Sequence, residues 1–519
     1  MRINKSTNQQ INRSTIPINY QRLMTPGIIF ICFVIYTVLL FVVSRLTVRK
    51  KVNNETYFIG NRNSPWYVVA YGMIGASLSG VTFMSVPGLV KTEQFSYMVL
   101  VFGYLAGYFV IAGVLLPLYY RLNLTSIYTY LHQRFGLFSY KTGSLYFILS
   151  RLIGSSFRMF LVVNVLQIFV FDNWGIPFWA TVSMFMVLIL LYTFRGGIKT
   201  IVWTDTLQTT FMLTAVVITI FIVGQSLGMG IGEMLAAANT EGFTKMFVMD
   251  VNDPRFFLKQ FFAGMFITIV MTGLDQDMMQ KNLSCRNLSD ARKNMLTFGF
   301  ILIPVNLMFL FLGAVLWIYA GEVGLTVVQT TDELFPTAAL QYLGVVAGLT
   351  FFLGLVSAAY SSADGTLTAM TTIFCLDFLG LKRKADVTEQ TIQSTRYKTH
   401  IAFAVLMTMV IIGYAAINDE ALISKLFTIA GYTYGPLLGL YLFGLYTKWQ
   451  VKDKWVPLVA LLSPAISYFL SLNSEWLFNG YQFGFEILIV NGLITFLGLM
   501  LLKKSWGQRS KVEGRRSKV

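Results

Sequence analysis

Charged residues are scarce in this chain, and so are cysteine and histidine. Lys, Arg, Asp and Glu make up 12% of the 519 residues, about half of the roughly 25% that is usual in soluble domains. This deficit excludes a disordered chain, a nucleic-acid-binding domain and an ordinary cytosolic enzyme. The few cysteines and histidines are too scattered for a disulfide framework or a Cys/His metal site; they are Cys32, Cys285, Cys375, His132 and His400.

Long apolar runs take the place of the missing charge. Apolar residue types account for 55% of the chain, and the mean hydropathy is +0.63. A helix that crosses about 30 Å of hydrocarbon needs about 20 mostly apolar residues, and continuous runs argue against a closed barrel, whose strands alternate. We therefore predict an all-α polytopic membrane protein with about thirteen transmembrane helices, at 26–46, 66–90, 96–120, 142–171, 176–194, 201–228, 257–280, 298–320, 338–377, 400–416, 421–446, 455–472 and 482–502.

The net charge of +16 indicates orientation in the membrane. Most of the 40 Lys and Arg lie in every second loop and in the C-terminal tail. Because cytoplasmic loops carry an excess of Lys and Arg, we predict a cytoplasmic (inner) membrane protein with its N-terminus outside and its C-terminus inside. The partner of this basic chain is then the lipid bilayer, and no nucleic acid is needed to explain its charge.

Both tails have low-complexity sequence. The N-terminal tail, 1–25, repeats INKST and INRST, and the tail 503–519 repeats RSKV. Such polar segments bury little and are expected to be disordered. The basic N-terminal tail conflicts with an outside location, so Met24 is an alternative start. We find no signal-peptide pattern before the first span.

Two predicted spans contain sequence that interrupts a helix. The second span includes the stretch GASLSG, Gly75–Gly80, and the seventh span includes polar residues in Met271–Asp277. Transporters often place their site where helices break at matching positions of two inverted halves. We predict such repeats at 66–228 and 257–446, preceded by an extra helix at 26–46 and followed by two helices at 455–502. The alternative is that Gly and Ser permit close helix packing.

A carboxylate deep in the ninth span strengthens the case for a site. An ionisable group at a helix centre costs roughly 2.5–3.5 kcal/mol on insertion scales. Ser357, Ser361 and Asp364 are spaced i, i+4 and i+7, so they share one helix face. Hydroxyls with one carboxylate form a hard-oxygen surface suited to an alkali cation. Alternatively, the serines bond to their own helix backbone.

Other ionisable groups within the spans are few. Asp205 and Asp275 are the remaining acids that stand out, and Arg151 and Arg158 lie seven residues apart on one face of the fourth span. The arginines are candidate partners for these acids or for an anionic substrate. The alternative is that they extend toward the membrane surface.

At these motifs the chain resembles the sodium/solute symporter family, which includes sodium-coupled glucose, proline, iodide and sialic acid transporters. The likeness extends from about residue 26 to 502. It is carried by GASLSG, by GGIKTIVWTDTLQ at 196–208, by the Ser361-Ser362 helix ending in Asp377, and by GYTYGPLLG at 431–439. The resemblance implies the inverted-repeat fold of the leucine transporter and alternating access. It also implies sodium-coupled symport of a small polar organic solute or anion.

The resemblance also implies which residues form the sites. Matching positions place a sodium ion among the backbone carbonyls of Gly75, Leu78 and Ser357 and the hydroxyls of Ser361 and Ser362. The implied substrate pocket lies between the two broken helices, at Ser77, Thr82, Gln94, Met271 and Gln276.

Two positions depart from the family pattern. Some members bind a second sodium with an aspartate that matches Asp205 and with hydroxyls where this chain has Asp364 and Gly365. We hypothesise that Asp205 and Asp364 form a second cation site or a proton site, because two nearby carboxylates resist ionising together. Met271 lies roughly where sugar-transporting relatives carry an aromatic residue, which argues against a sugar.

Alternatives to sodium symport are proton-coupled symport through Asp205 and Asp364 and a solute sensor that does not transport. A membrane-embedded enzyme would need a nucleophile–base pair or metal ligands at membrane depth, and two histidines in the whole chain do not provide them. The polar pocket residues do not distinguish carboxylates, amino acids, sugars and nucleosides. The sequence likewise leaves stoichiometry and oligomeric state open.

Overall fold

The computed structural model describes residues 25–47, 54–325, 330–381, 388–415 and 422–504, without the side chains of 195–196 and 422–427. The predicted N-terminal tail up to Met24 and the C-terminal tail beyond residue 504 lie outside the described residues. Helices make up 84% of the described residues, and only isolated β-bridges occur beside them there.

The first half of the described chain is a series of ten α-helices. They are α1 (Pro26–Thr47), α2 (Asn54–Ile59), α3 (Trp66–Glu93), α4 (Tyr97–Val110), α5 (Leu116–Arg121), α6 (Thr129–Arg134), α7 (Leu137–Leu166), α8 (Phe178–Gly196), α9 (Ile198–Leu227) and α10 (Ile231–Thr240). A 3₁₀ turn at Gln94–Ser96 separates α3 from α4, and π-helical turns at Ile111–Leu115 and Gln167–Phe171 extend α4 and α7.

The second half of the described chain is also a series of ten α-helices. Its helices are α11 (Phe257–Thr268), α12 (Gln276–Leu283), α13 (Leu288–Glu322), α14 (Leu334–Thr337), α15 (Gly344–Ile373), α16 (Glu389–Tyr414), α17 (Leu422–Tyr446), α18 (Val456–Leu472), α19 (Ser474–Leu477) and α20 (Ile487–Leu501). π-helical turns at Ile269–Gly273, Ala338–Tyr342 and Phe374–Phe378 adjoin α11, α14 and α15.

Each of the thirteen predicted spans falls on one of these helices or on a consecutive group of them. By length and composition, the described residues contain eight helices able to cross a membrane, or up to nine with a bent pair. One of the eight, Trp66–Arg121, covers two predicted spans, and the shorter helices Phe178–Phe194 and Ile487–Leu501 match two more. The ninth span begins with a short segment and continues from Gly344, as predicted.

Both predicted helix breaks are present. Within α3, Ser79 has φ 39° and ψ 169°, a conformation that interrupts the helix and is unfavourable for a residue with a side chain. Between α11 and α12 the axis bends by 65°. The breaks therefore lie in the first helix of each predicted repeat, while the repeat boundaries themselves stay a prediction.

The two helices at the centre are α3 and α15. Every residue from Gly354 to Ile373 is buried, and α3 is buried from Met73 to Val90 apart from Ser77. A helix that is enclosed on all sides is a core element. Peripheral helices instead expose large apolar side chains, such as Leu461 and Leu501, which is the surface expected to face lipid rather than water.

Candidate functional site

The interruption of α3 lies against α9 and α15. The Gly75 amide donates a hydrogen bond to Thr209 Oγ1 at 3.0 Å, and a Cβ on Gly75 would come within 2.4 Å of that oxygen. One residue after the break, a Cβ on Gly80 would come within 2.6 Å of Val162 Cγ2 of α7. Glycine at these positions therefore lets the broken backbone approach α9 and α7.

The serines of α15 face this break from the other side. Ser361 Oγ donates to Asp205 Oδ1 at 2.8 Å. Ser362 Oγ is buried and has no hydrogen-bond partner among the described residues. An unsatisfied buried hydroxyl is costly, so Ser362 has an oxygen available for a cation. Ser357 Oγ lies 2.6 Å from Leu353 O and 2.8 Å from the Tyr36 hydroxyl, so its hydroxyl is engaged by its own helix and by α1.

The second break is held by a buried ion pair. Arg151 of α7 contacts Asp275 in a fork, with Nε–Oδ2 and Nη2–Oδ1 both at 2.5 Å. Tyr434 donates its hydroxyl to Asp275 Oδ2 at 2.7 Å, and Asp275 accepts the Met278 amide at 3.2 Å as the N-cap of α12. Two-point contacts of this kind fix geometry as well as charge. Arg151 therefore has the first of its two predicted roles, as the partner of an acid.

A second buried cation, Lys281 of α12, lies beside Asp205 of α9. Its Nζ is 2.8 Å from Asp205 Oδ2 and 3.7 Å from Asp277 Oδ1, and Arg151 Nη1 is 3.6 Å from Asp277 Oδ2. Sequence reasoning missed Lys281 because the predicted span ended at residue 280, whereas the bent helix continues to Leu283. The contact could have been predicted from the i, i+4 spacing of Asp277 and Lys281, because opposite charges at this spacing are neighbours on a helix.

Asp364 lies on the same face of α15 as Ser361, as the spacing predicted. Its Oδ2 accepts the Tyr192 hydroxyl at 2.7 Å, and its Oδ1 accepts the Gly365 amide at 2.6 Å. A Cβ on Gly365 would lie 2.4 Å from Asp277 Oδ1. The absence of a side chain at Gly365 therefore lets the α12 carboxylate pack directly against α15.

A central cavity of about 80 Å³ lies between the two breaks. Three of the predicted substrate residues line it: Ser77, Thr82 and Met271. Leu78, predicted as a sodium ligand, also faces it. Its wall also includes Tyr97, Tyr104 and Tyr108 of α4. The sequence analysis missed these tyrosines, although spacings of seven and four residues place side chains on one face of a helix.

Two predicted substrate residues are not brought to this cavity. Gln276 is buried elsewhere, where its Oε1 accepts the Ile127 amide at 3.0 Å and its Nε2 donates to Thr125 O at 2.8 Å. Its amide is used to hold the segment between α5 and α6. Gln94 ends α3 with φ 54° and lies in the 3₁₀ turn outside the cavity wall.

Arg158 provides the cavity with a positive charge. Its side chain lines the wall and is 8% exposed. Its Nε has no hydrogen-bond partner, and the described residues place no carboxylate within ion-pair distance of it. Arg151 also lines the cavity, but its guanidinium is paired with Asp275. Arg158 has no such partner among the described residues and is therefore the better candidate to contact a solute.

A larger cavity of about 270 Å³ adjoins the central one. Tyr97 lines both, and the Tyr97 and Tyr104 hydroxyls are 3.4 Å apart. The larger cavity is formed by the loop before α11 and the loop before α20, with Arg255 and Phe485 in its wall. Tyr97 therefore stands between the central cavity and a wider vestibule.

Comparisons with known proteins find similar sequences over most of the chain. A family model described as Sodium:solute symporter family matches residues 57–452. The sodium/sialic acid symporter NanT of Aliivibrio fischeri is 24% identical over 411 residues, 77% of this chain and 79% of the relative. The sodium-coupled monocarboxylate transporter 2 of Danio rerio is 25% identical over 432 residues, 80% of this chain and 67% of the relative.

A solved structure shows the same fold. It is described as the substrate-bound outward-open state of a Na⁺-coupled sialic acid symporter, and it matches with a TM-score of 0.79 at 18% identity. The match covers 92% of this chain and 99% of that chain. The predicted all-α, five-plus-five inverted-repeat membrane fold is thereby confirmed.

Proposed function

The chain belongs to the sodium:solute symporter family, and we propose that it imports a small organic carboxylate together with sodium. It is a multi-pass membrane transporter rather than an enzyme, and sodium is its coupling ion. With the orientation predicted from the loop charges, the vestibule beside Tyr97 faces the outside of the cytoplasmic membrane.

The unpaired guanidinium of Arg158 carries the proposal. A buried charge is retained only when it is paired and hydrogen-bonded or has another use, and Arg158 has no acidic partner among the described residues. A carboxylate fits the planar fork of a guanidinium at two points. The matched relatives are named for sialic acid and for monocarboxylates, and both solutes carry this group.

The volume of the cavity favours a small member of this class. Pockets for drug-sized ligands span about 300–1,000 Å³, whereas this cavity measures about 80 Å³. We infer a short monocarboxylate whose acid group contacts Arg158 and whose remaining atoms contact Met271 and the tyrosines of α4. Ser77 and Thr82 supply hydroxyls for a second polar group on the solute.

The proposed sodium site joins the two central helices. Carbonyls of Gly75 and Leu78 precede the break at Ser79, where an interrupted helix frees backbone acceptors. The Ser357 carbonyl and the hydroxyls of Ser361 and Ser362 complete an all-oxygen set, which is the chemistry that alkali cations prefer. The unpartnered Ser362 Oγ supports this assignment.

Sodium at this site would couple to solute by favouring one conformation. A ligand shifts an equilibrium only by its differential affinity for the two states. Oxygens from α3 and α15 meet only when these helices are packed together, so sodium stabilises the arrangement in which the cavity beside the α3 break is formed. Entry of one sodium ion releases about 2.3 kcal/mol per 100 mV of membrane potential.

Uptake by purified protein in liposomes tests the proposal. Labelled pyruvate, acetate and sialic acid are offered under an inward sodium gradient, with glucose and proline as neutral controls. We expect uptake of a short carboxylate that stops when potassium replaces sodium. Uptake confined to a neutral solute, or equal uptake without sodium, would contradict the proposal.

A further inference from the structure

Lys281 places a fixed positive charge where a second transported cation was predicted. Its side chain is 1% exposed, and its ammonium is 2.8 Å from Asp205 Oδ2 and 3.7 Å from Asp277 Oδ1. Asp277 packs against Gly365 of α15, the residue that follows Asp364. The ammonium therefore lies between acids of α9 and α12, next to α15.

The oxygens that would bind a second sodium are already engaged. Asp205 directs Oδ2 at Lys281 and accepts Ser361 Oγ at Oδ1. Asp364 accepts the Tyr192 hydroxyl and the Gly365 amide, one at each oxygen. A sodium ion at this pair would have to displace the Lys281 ammonium from Asp205 Oδ2 or share the other three oxygens with their hydrogen-bond donors.

Charge repulsion acts in the same direction. A sodium ion bound to Asp205 would be a close neighbour of the Lys281 ammonium, and like charges repel strongly where water is excluded. Removing the ammonium would reverse the balance, because Asp205 and Asp277 would then be buried acids in need of a cation.

We propose that the Lys281 ammonium is a tethered substitute for a second sodium ion, so that the transporter binds one sodium ion per solute. The inference rests on the proposed function, because it assumes the sodium site at Ser361 and Ser362. A bound sodium ion leaves with each cycle, but a lysine does not. The Lys281 ammonium neutralises Asp205 in every state of the transporter and adds no energy from the sodium gradient. Symport with a monovalent carboxylate would then move no net charge.

Sodium binding to the purified full chain tests this without any solute. Equilibrium binding of radioactive sodium is measured for the wild type, for Lys281→Arg, which keeps the charge, and for Lys281→Met, which removes it. We expect one sodium per wild-type protein and per Lys281→Arg. At low sodium, lowering its concentration tenfold should reduce occupancy about tenfold in both, by mass action.

The Lys281→Met variant is expected to bind two sodium ions per protein at saturating sodium. Because Lys281→Met leaves buried acids unpaired, a second variant, Asp205→Asn/Lys281→Met, removes both charges of the pair; it should again bind one sodium ion.

Each outcome has a distinct meaning. Two sodium ions bound to the wild type overturn the tethered-cation proposal while leaving sodium coupling intact. A folded Lys281→Met protein that still binds one sodium also overturns it. No sodium binding to the wild type overturns the proposed sodium site itself, and the inference with it.

Discussion

Replacing Arg158 by glutamine separates solute recognition from folding. The substitution removes a guanidinium that lines the central cavity and whose Nε has no partner among the described residues. A hydrogen bond to a charged group contributes about 1.5–3 kcal/mol, and each 1.4 kcal/mol is a factor of about ten in affinity. We therefore expect Arg158→Gln to raise the KM for the carboxylate by about ten- to 150-fold.

The same substitution should not destabilise the protein. No carboxylate loses its partner, and an unpaired buried charge is removed, so thermal stability is expected to stay equal or to rise. Arg151→Gln is the matched control, about two turns away on the same face of α7. It would leave the buried Asp275 without its guanidinium, and breaking a buried pair costs about 3–5 kcal/mol. We expect this variant to lose stability before any specific effect on solute is visible.

The assay combines uptake in liposomes with thermal unfolding in detergent. Arg158→Lys keeps the charge but lacks the fork, so its KM should lie between those of the wild type and Arg158→Gln. The reasoning is refuted if Arg158→Gln retains the wild-type KM. It is also refuted if Arg158→Gln unfolds as easily as Arg151→Gln, because Arg158 would then have a structural partner.

Two further predictions concern the sodium site and the α3 contact. Ser362→Ala removes the unpartnered hydroxyl, so the sodium concentration for half-maximal uptake should rise about tenfold, as expected for losing about 1.4 kcal/mol. Thr219→Ala, which removes a hydroxyl bonded to its own helix, is the control, and an equal shift in both variants would argue against the assignment. Gly75→Ala brings a methyl group to 2.4 Å from Thr209 Oγ1; overpacking should cost about 1–3 kcal/mol and lower the melting temperature, with partial recovery in Gly75→Ala/Thr209→Ala. Unchanged melting of Gly75→Ala would contradict the close approach.

The spans and their breaks were predictable because both depend on local sequence. A run of about 20 apolar residues must be helical in a bilayer, since its backbone has no other partners. GASLSG and Met271–Asp277 weaken a helix wherever they occur, and the structure breaks at Ser79 and after Gly273. The polar start of α16 was missed, because Glu389 begins the helix well before the apolar run at residue 400.

Site residues were predictable only in part. Ser77, Thr82 and Met271 line the cavity because they adjoin the breaks that create it. Gln276 also adjoins a break, but its side chain points to the segment between α5 and α6. A direction of this kind depends on a neighbour about 150 residues away in sequence, and no local pattern specifies it.

The sequence alone determined that the chain lies in a membrane, where its helices are, where two of them break, and that they contain a few charged residues. Only the tertiary structure decided how those charges are paired. Arg151 and Arg158 look equivalent in sequence, yet one is bound to Asp275 and the other is left to the cavity. Lys281 similarly changes from a loop residue into the partner of Asp205. The physical reason is that pairing depends on distances of a few ångströms between separate helices, and apolar content and periodicity do not specify those distances.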